Sequence, residues 1–68
     1  MPLTRKIASG VGVAEIALLA EEQGAWSPLA IGELSLHTIA RADAWLIIPS
    51  DSEGFAAGAG VDAYLIRE

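Results

Sequence analysis

The stretch AIGELSLHTIARADAW, residues 30 to 45, brings together the residue types in this chain best suited to hold a small anion or ligand. Gly32 lets backbone approach a ligand closely, Ser35 offers a hydroxyl, and a helix start offers unpaired N–H groups, with Glu33 lying between them. The same residues also make a turn and a helix cap. Ser35 is a good N-cap, and Leu36, Ile39 and Ala40 follow it at the i, i+3, i+4 spacing of one buried helical face. Thr38 at the N3 position is neither Glu nor Gln, so no capping box forms. Arg41 falls in the last turn, where a cation complements the negative end of the helix dipole. The spacing predicts a helix of about two turns, too short to be stable without docking on a sheet.

Other residues with chemical potential lack the company they would need. The glycines of SGVG, residues 9 to 12, are not followed by Lys-Ser or Lys-Thr and lack the third glycine of a dinucleotide fingerprint, so they read as a tight turn. His37 is the only histidine, and on the helix it falls opposite the apolar stripe, as a solvated side chain rather than a metal ligand. Asp51, Glu53 and Asp62 do not follow the calcium-loop pattern and read as solvating charges. No base with an orienting partner stands near a nucleophile, so the chain alone is not expected to be a complete enzyme and no catalytic residue is assigned. Trp26 and Trp45 read as core or interface aromatics, Trp26 being the better candidate for a protein contact.

The elements that must position these residues follow from periodicity and punctuation. Residues 2 to 9 enter as an extended segment. VAEIALLA, residues 13 to 20, is short and flanked by a glycine turn and EEQG, which favours a strand. Segments 14–20 and 25–31 form a β-hairpin across a connection of three to five residues, with Gly24 left-handed. Pro28 cannot donate to a ladder, so its arm is an edge strand or carries a bulge there. AWLIIP, residues 44 to 49, is a continuous apolar run of β-formers and reads as the best-buried strand. SDSEGFAAGAG, residues 50 to 60, is a loop, and VDAYLIR, residues 61 to 67, alternates as a final strand. The sum is a small, mostly β domain with one short helix.

Composition limits the possible partners. The 68 residues are 53% hydrophobic and contain no cysteine, which gives one small core without a disulfide or thiolate metal site. Such a chain has isolated stability of about 3–5 kcal/mol, and it is more at ease as part of a larger protein. The net charge of −5 repels phosphate backbones and excludes nucleic acid as a partner. The apolar runs WLII and IALLA are far short of the roughly 20 residues of a membrane span, and no apolar region of secretory length follows MPLTRKIASG. A cytoplasmic location is the expectation.

Taken in order, RKIAS with its following glycine, then an acidic turn with an aromatic arm, then ARADAWLIIP and EGFAAGAGVDAYLI resemble the C-terminal domain, domain IV, of the MoeA family, the molybdopterin molybdenumtransferases. The resemblance covers nearly the whole chain. It implies a small bent β-ribbon or incomplete barrel of β-clip type, lying within a larger protein. It also implies a role in molybdenum cofactor biosynthesis. In the family, molybdate is inserted into adenylylated molybdopterin with magnesium, in a cleft between the catalytic domain of one subunit and this domain of another. The implied partners are therefore the catalytic domain of the same or a partner subunit and a second copy of the parent. The domain itself would hold no cofactor. A rival from another class is a protein-interaction or scaffolding module on the same fold.

At the loop ahead of the helix, the resemblance makes Gly32, Glu33 and Ser35 the candidate substrate-binding residues. Where the family typically has a Gly-Ser-Gly-like loop, this chain keeps Gly32 but has Glu33 and Leu34, and where some members present an arginine it has Leu18. Two unit charges about 4 Å apart at an effective dielectric near 20 repel by about 4 kcal/mol, enough to cancel a good anion contact. Glu33→Ser is accordingly expected to raise affinity for phosphate or molybdate in calorimetry, and unchanged binding would show that this loop is no anion site.

Overall fold

The alternating side chains of EIALLAEE and AWSPLAI build the longest feature of the molecule, a hairpin whose turn is only two residues. The structure, a computed structural model, describes residues 1–32 and 34–66. Strand β1 spans Ile7–Ala8, β2 Glu15–Glu22, β3 Ala25–Ile31, β4 Ala44–Ile48, β5 Gly54–Phe55 and β6 Tyr64–Leu65, with helix α1 at Leu36–Arg41. β2 and β3 run antiparallel from Glu22 paired with Ala25, and Gln23 and Gly24 both have positive φ, 51° and 81°. That pair matches the twist of a two-residue primed turn, so the connection is tighter than the three to five residues expected from EEQG.

Four strands make one antiparallel sheet in the order β3-β2-β4-β6, and β1 pairs with β5 in a separate two-stranded ribbon. The sheets are open. β3 lies at an edge, as Pro28 requires, and its register shifts opposite Leu18 and Leu19: Leu19 faces Pro28 and Leu18 faces Ala30, leaving Leu29 as the extra residue. The bulge changes which side chains point inward. Trp26 lies in the core before it, and Ile31 rather than Ala30 packs against the core after it.

The core fills the space between the inner face of the sheet and the β1–β5 ribbon. Ala17 and Leu19 from β2, Ala44, Leu46 and Ile48 from β4, and Trp26 from β3 meet Leu3, Ile7 and Val61, with Phe55 packed alongside. The whole body measures 31 × 26 × 16 Å, and its thin dimension is that of a sheet with one covering layer. Gly54 is what brings the ribbon so close. Its φ is 116°, and a Cβ placed there would lie 1.8 Å from the Ile7 carbonyl oxygen.

Several sequence expectations change. Residues 50 to 60 are not all loop, because Gly54 and Phe55 pair with Ala8 and Ile7. The last strand shrinks to Tyr64–Leu65, and Leu65 is exposed while Val61 alone of the alternating set is buried. AWLIIP is buried on one face only: Ala44, Leu46 and Ile48 point inward, but Ile47 is 48% exposed. The helix has six residues and buries none of them, Leu36 being 86% exposed. It packs near β2, and the residue driven inward is Ala42, just past its end. Trp26 is buried in the core and offers no protein contact. Trp45 is half-buried instead and stacks on Tyr64, ring centroids 4.7 Å apart.

Gly54→Ala is expected to cost more than about 2 kcal/mol, because the Ile7 carbonyl is backbone and cannot swing away, whereas Gly58→Ala, with positive φ but open space around it, should cost about 1 kcal/mol. Urea denaturation of the two variants measures the difference.

Candidate functional site

β2 and the end of β3 carry the backbone that shapes the loop before the helix. The Gly32 N–H donates to the Ile16 carbonyl at 2.9 Å, which extends the hairpin ladder by one rung, and Gly32 then turns with φ 73°. Glu33 lies outside the described residues. Beyond it, Ser35 has extended backbone and caps α1: its Oγ accepts the Thr38 N–H at 3.2 Å and donates to Thr38 Oγ1 at 2.9 Å. The Ala42 N–H closes the other end on the Ile39 carbonyl at 3.2 Å, and Arg41 sits in the last turn as the dipole argument requires. The helix is thus held by its two caps rather than by a buried face.

The side chain that shapes the loop from outside belongs to none of the sequence candidates. Glu15, half-buried at the start of β2, reaches over Gly32, and its Oε2 would lie 2.7 Å from a Cβ at that position. Ser9 Oγ donates to Glu15 Oε1 at 2.5 Å, which fixes the other oxygen. The SGVG turn brings Ser9 opposite Glu15. The sequence reads SGVG as a tight turn but does not say which side chains the turn brings face to face. Val13, Ala14, Ile16 and Leu34 complete the walls of a cavity of about 320 Å³ around the carboxylate and Gly32.

The remaining candidates stay apart. His37 is exposed on the helix, as expected, and Asp51, Glu53 and Asp62 are exposed as well. Among the described residues no group of three His, Cys, Asp or Glu side chains is placed to hold a metal ion. Leu18, at the position where some relatives of the resembled family have arginine, is buried between its partners Ala30 and Trp45. Asp43, next to the helix, has a structural role, since its Oδ2 accepts the Glu21 N–H at 2.9 Å and ties the hairpin end of β2 to the start of β4. Arg5 donates through Nη2 to the Pro28 carbonyl at the outer edge of β3.

With this geometry in place, comparison with known proteins separates the fold's relatives from its own chemistry. The family model of the MoeA C-terminal region, domain IV, matches residues 34–66, which take in α1, β4, the β5 ribbon strand and β6. Over that segment the chain is similar to the C-terminal domain of the MoeA family. The crystal structure of the molybdopterin biosynthesis MoeA protein from Pyrococcus horikoshii OT3 is similar over 85% of this chain, with a TM-score of 0.73 and 28% identity. The match takes in 15% of that relative's chain, so the present chain spans a small part of its length. No curated protein matches. The MoeA likeness thus extends beyond residues 34–66 to most of the fold.

Because Ser35 supplies the N-terminal cap of a helix without a buried face, Ser35→Ala should destabilise the domain by about 1 kcal/mol and speed hydrogen exchange at the Thr38 amide. Thermal denaturation and amide exchange by NMR test both.

Proposed function

We propose that this chain serves as the C-terminal β lobe of a molybdopterin biosynthesis protein, helping to form the cleft or dimer in which molybdate is inserted into adenylylated molybdopterin. The observation that carries the reading is the structural likeness to the Pyrococcus horikoshii MoeA protein, which covers most of the chain and so reaches beyond the segment matched by the family model. In this reading the ribbon folded over the sheet is a β-clip, and the parent is a cytoplasmic homo-oligomer.

The lobe contributes shape rather than a reacting group. Its open sheet leaves Ile47, Tyr64 and Ile66 exposed beside the half-buried Trp45, a sheet face that a larger neighbour could cover. In this reading, magnesium needed for the transfer is held by another domain of the parent. An acid at Gly32, Glu15, disfavours direct contact with an oxyanion at that point of the loop.

The same exposed face supports the second reading, a scaffolding module freed from the transfer reaction. With Trp26 in the core, its anchor would be the Trp45–Tyr64 stack. Titrating the parent protein with adenylylated molybdopterin, with and without this domain, separates the two. The first reading expects binding to weaken by about tenfold or more on deletion, a loss of at least one charge-assisted contact or its equivalent in shape. Unchanged binding by a folded deletion variant leaves the scaffold.

A further inference from the structure

We infer that the cavity at Gly32 is a receptor for one arginine side chain of a protein partner, held by Glu15. This assignment goes beyond the molybdopterin reading and stands without it. It rests on a carboxylate that the fold has oriented before any ligand arrives. Glu15 Oε1 accepts a hydrogen bond from the Ser9 hydroxyl at 2.5 Å, and Oε2 reaches over Gly32, occupying space that any side chain at that position would contest. Gly32 is therefore required twice, by its φ of 73° and by the carboxylate above it.

The walls select the rest of the ligand. Val13, Ala14, Ile16 and Leu34 are apolar, and Val13 and Leu34 stand 63% and 50% exposed at the mouth. A volume of about 320 Å³ has room for a side chain with an apolar stem and a polar head. Glu15 is the one charged residue in that lining among the described residues, so an anion would meet repulsion and a neutral group would leave the carboxylate uncompensated. A cation on a hydrocarbon stem satisfies both the acid and the walls. Between the two cationic side chains, arginine fits better: its guanidinium is the more weakly hydrated, and its planar fork can reach Oε2 while a second N–H shares Oε1 with Ser9. The chain's net charge of −5 adds attraction for a basic segment at longer range.

The test uses the ¹⁵N-labelled chain and three blocked tripeptides, Ala-Arg-Ala, Ala-Lys-Ala and Ala-citrulline-Ala, followed by NMR titration. Citrulline keeps the shape of arginine and removes its charge. The arginine peptide should shift the amides of residues 13–16, 32 and 34, and bind about tenfold more tightly than the citrulline peptide, with the lysine peptide between them. Glu15→Gln, which keeps size and geometry, should abolish the preference for arginine over citrulline. Ser9→Ala should reduce that preference without abolishing it, because the carboxylate remains but loses its tether. Dispersed amide spectra establish that each variant is folded. Citrulline binding as tightly as arginine, shifts centred elsewhere, or an unchanged preference in Glu15→Gln would each overturn the assignment. Butylguanidinium binding as tightly as the arginine peptide would overturn the protein partner and leave a small cation as the ligand. None of these outcomes depends on adenylylated molybdopterin, so the assignment and the cofactor reading fail separately.

Discussion

The close approach of two backbones, Gly54 against the Ile7 carbonyl, is the constraint on which the packing depends. A single sheet of four short strands can bury only one layer of side chains, and it needs a cover. Here the cover is a ribbon of four residues that donates Ile7 and Phe55 to the core, and Ile7 is among the largest side chains fully removed from solvent. Leu3 and Val61 reach the same core from segments that are tied to their neighbours by backbone bonds, the Leu3 N–H to Ala59 at 3.0 Å and the Val61 N–H to Met1 at 3.1 Å. The apolar surface buried by this layer is what a cysteine-free chain of this length has to set against the entropy of ordering it.

Local rules made part of this legible in the sequence. The hairpin, the edge position of the Pro28 strand, the Ser35 cap and the one-sided logic of a mostly β domain all rest on φ, on a missing N–H or on a short hydrogen bond, each decided within a few residues. What escaped depends on distant neighbours. Nothing in SDSEGFAAGAG announces that Gly54 and Phe55 will pair with residues about 47 positions earlier, since two-residue strands carry no period. Leu36 and Ile39 carry helical spacing, but whether that stripe is buried depends on what packs against it, and here Leu36 is exposed while Ile39 is half-buried. Trp26, expected at a contact, is covered instead, because its place in the strand and the N-terminal segment beside it, not residue type, decide its burial.

The candidate loop shows the same division. Gly32 and Ser35 are visible in the sequence as turn and cap, and they act as such, one bending the chain and the other closing the first turn of α1. The group that sets the electrostatics of the cavity, Glu15, lies on a different element, and Ser9, which orients it, is on a third segment. The likeness to the MoeA C-terminal domain is a likeness of scaffold, and the chemistry at the rim has to be argued from Glu15 and Ser9 themselves.

The outer side of β3 has a further consequence. Trp26 there already exchanges bonds with Pro2 and Thr4, Pro28 has no N–H to give, Arg5 engages the Pro28 carbonyl, and Leu29 breaks the spacing. A foreign strand arriving at this side finds a row of donors and acceptors with gaps and an altered step. This edge is therefore a poor template for cross-β growth between copies.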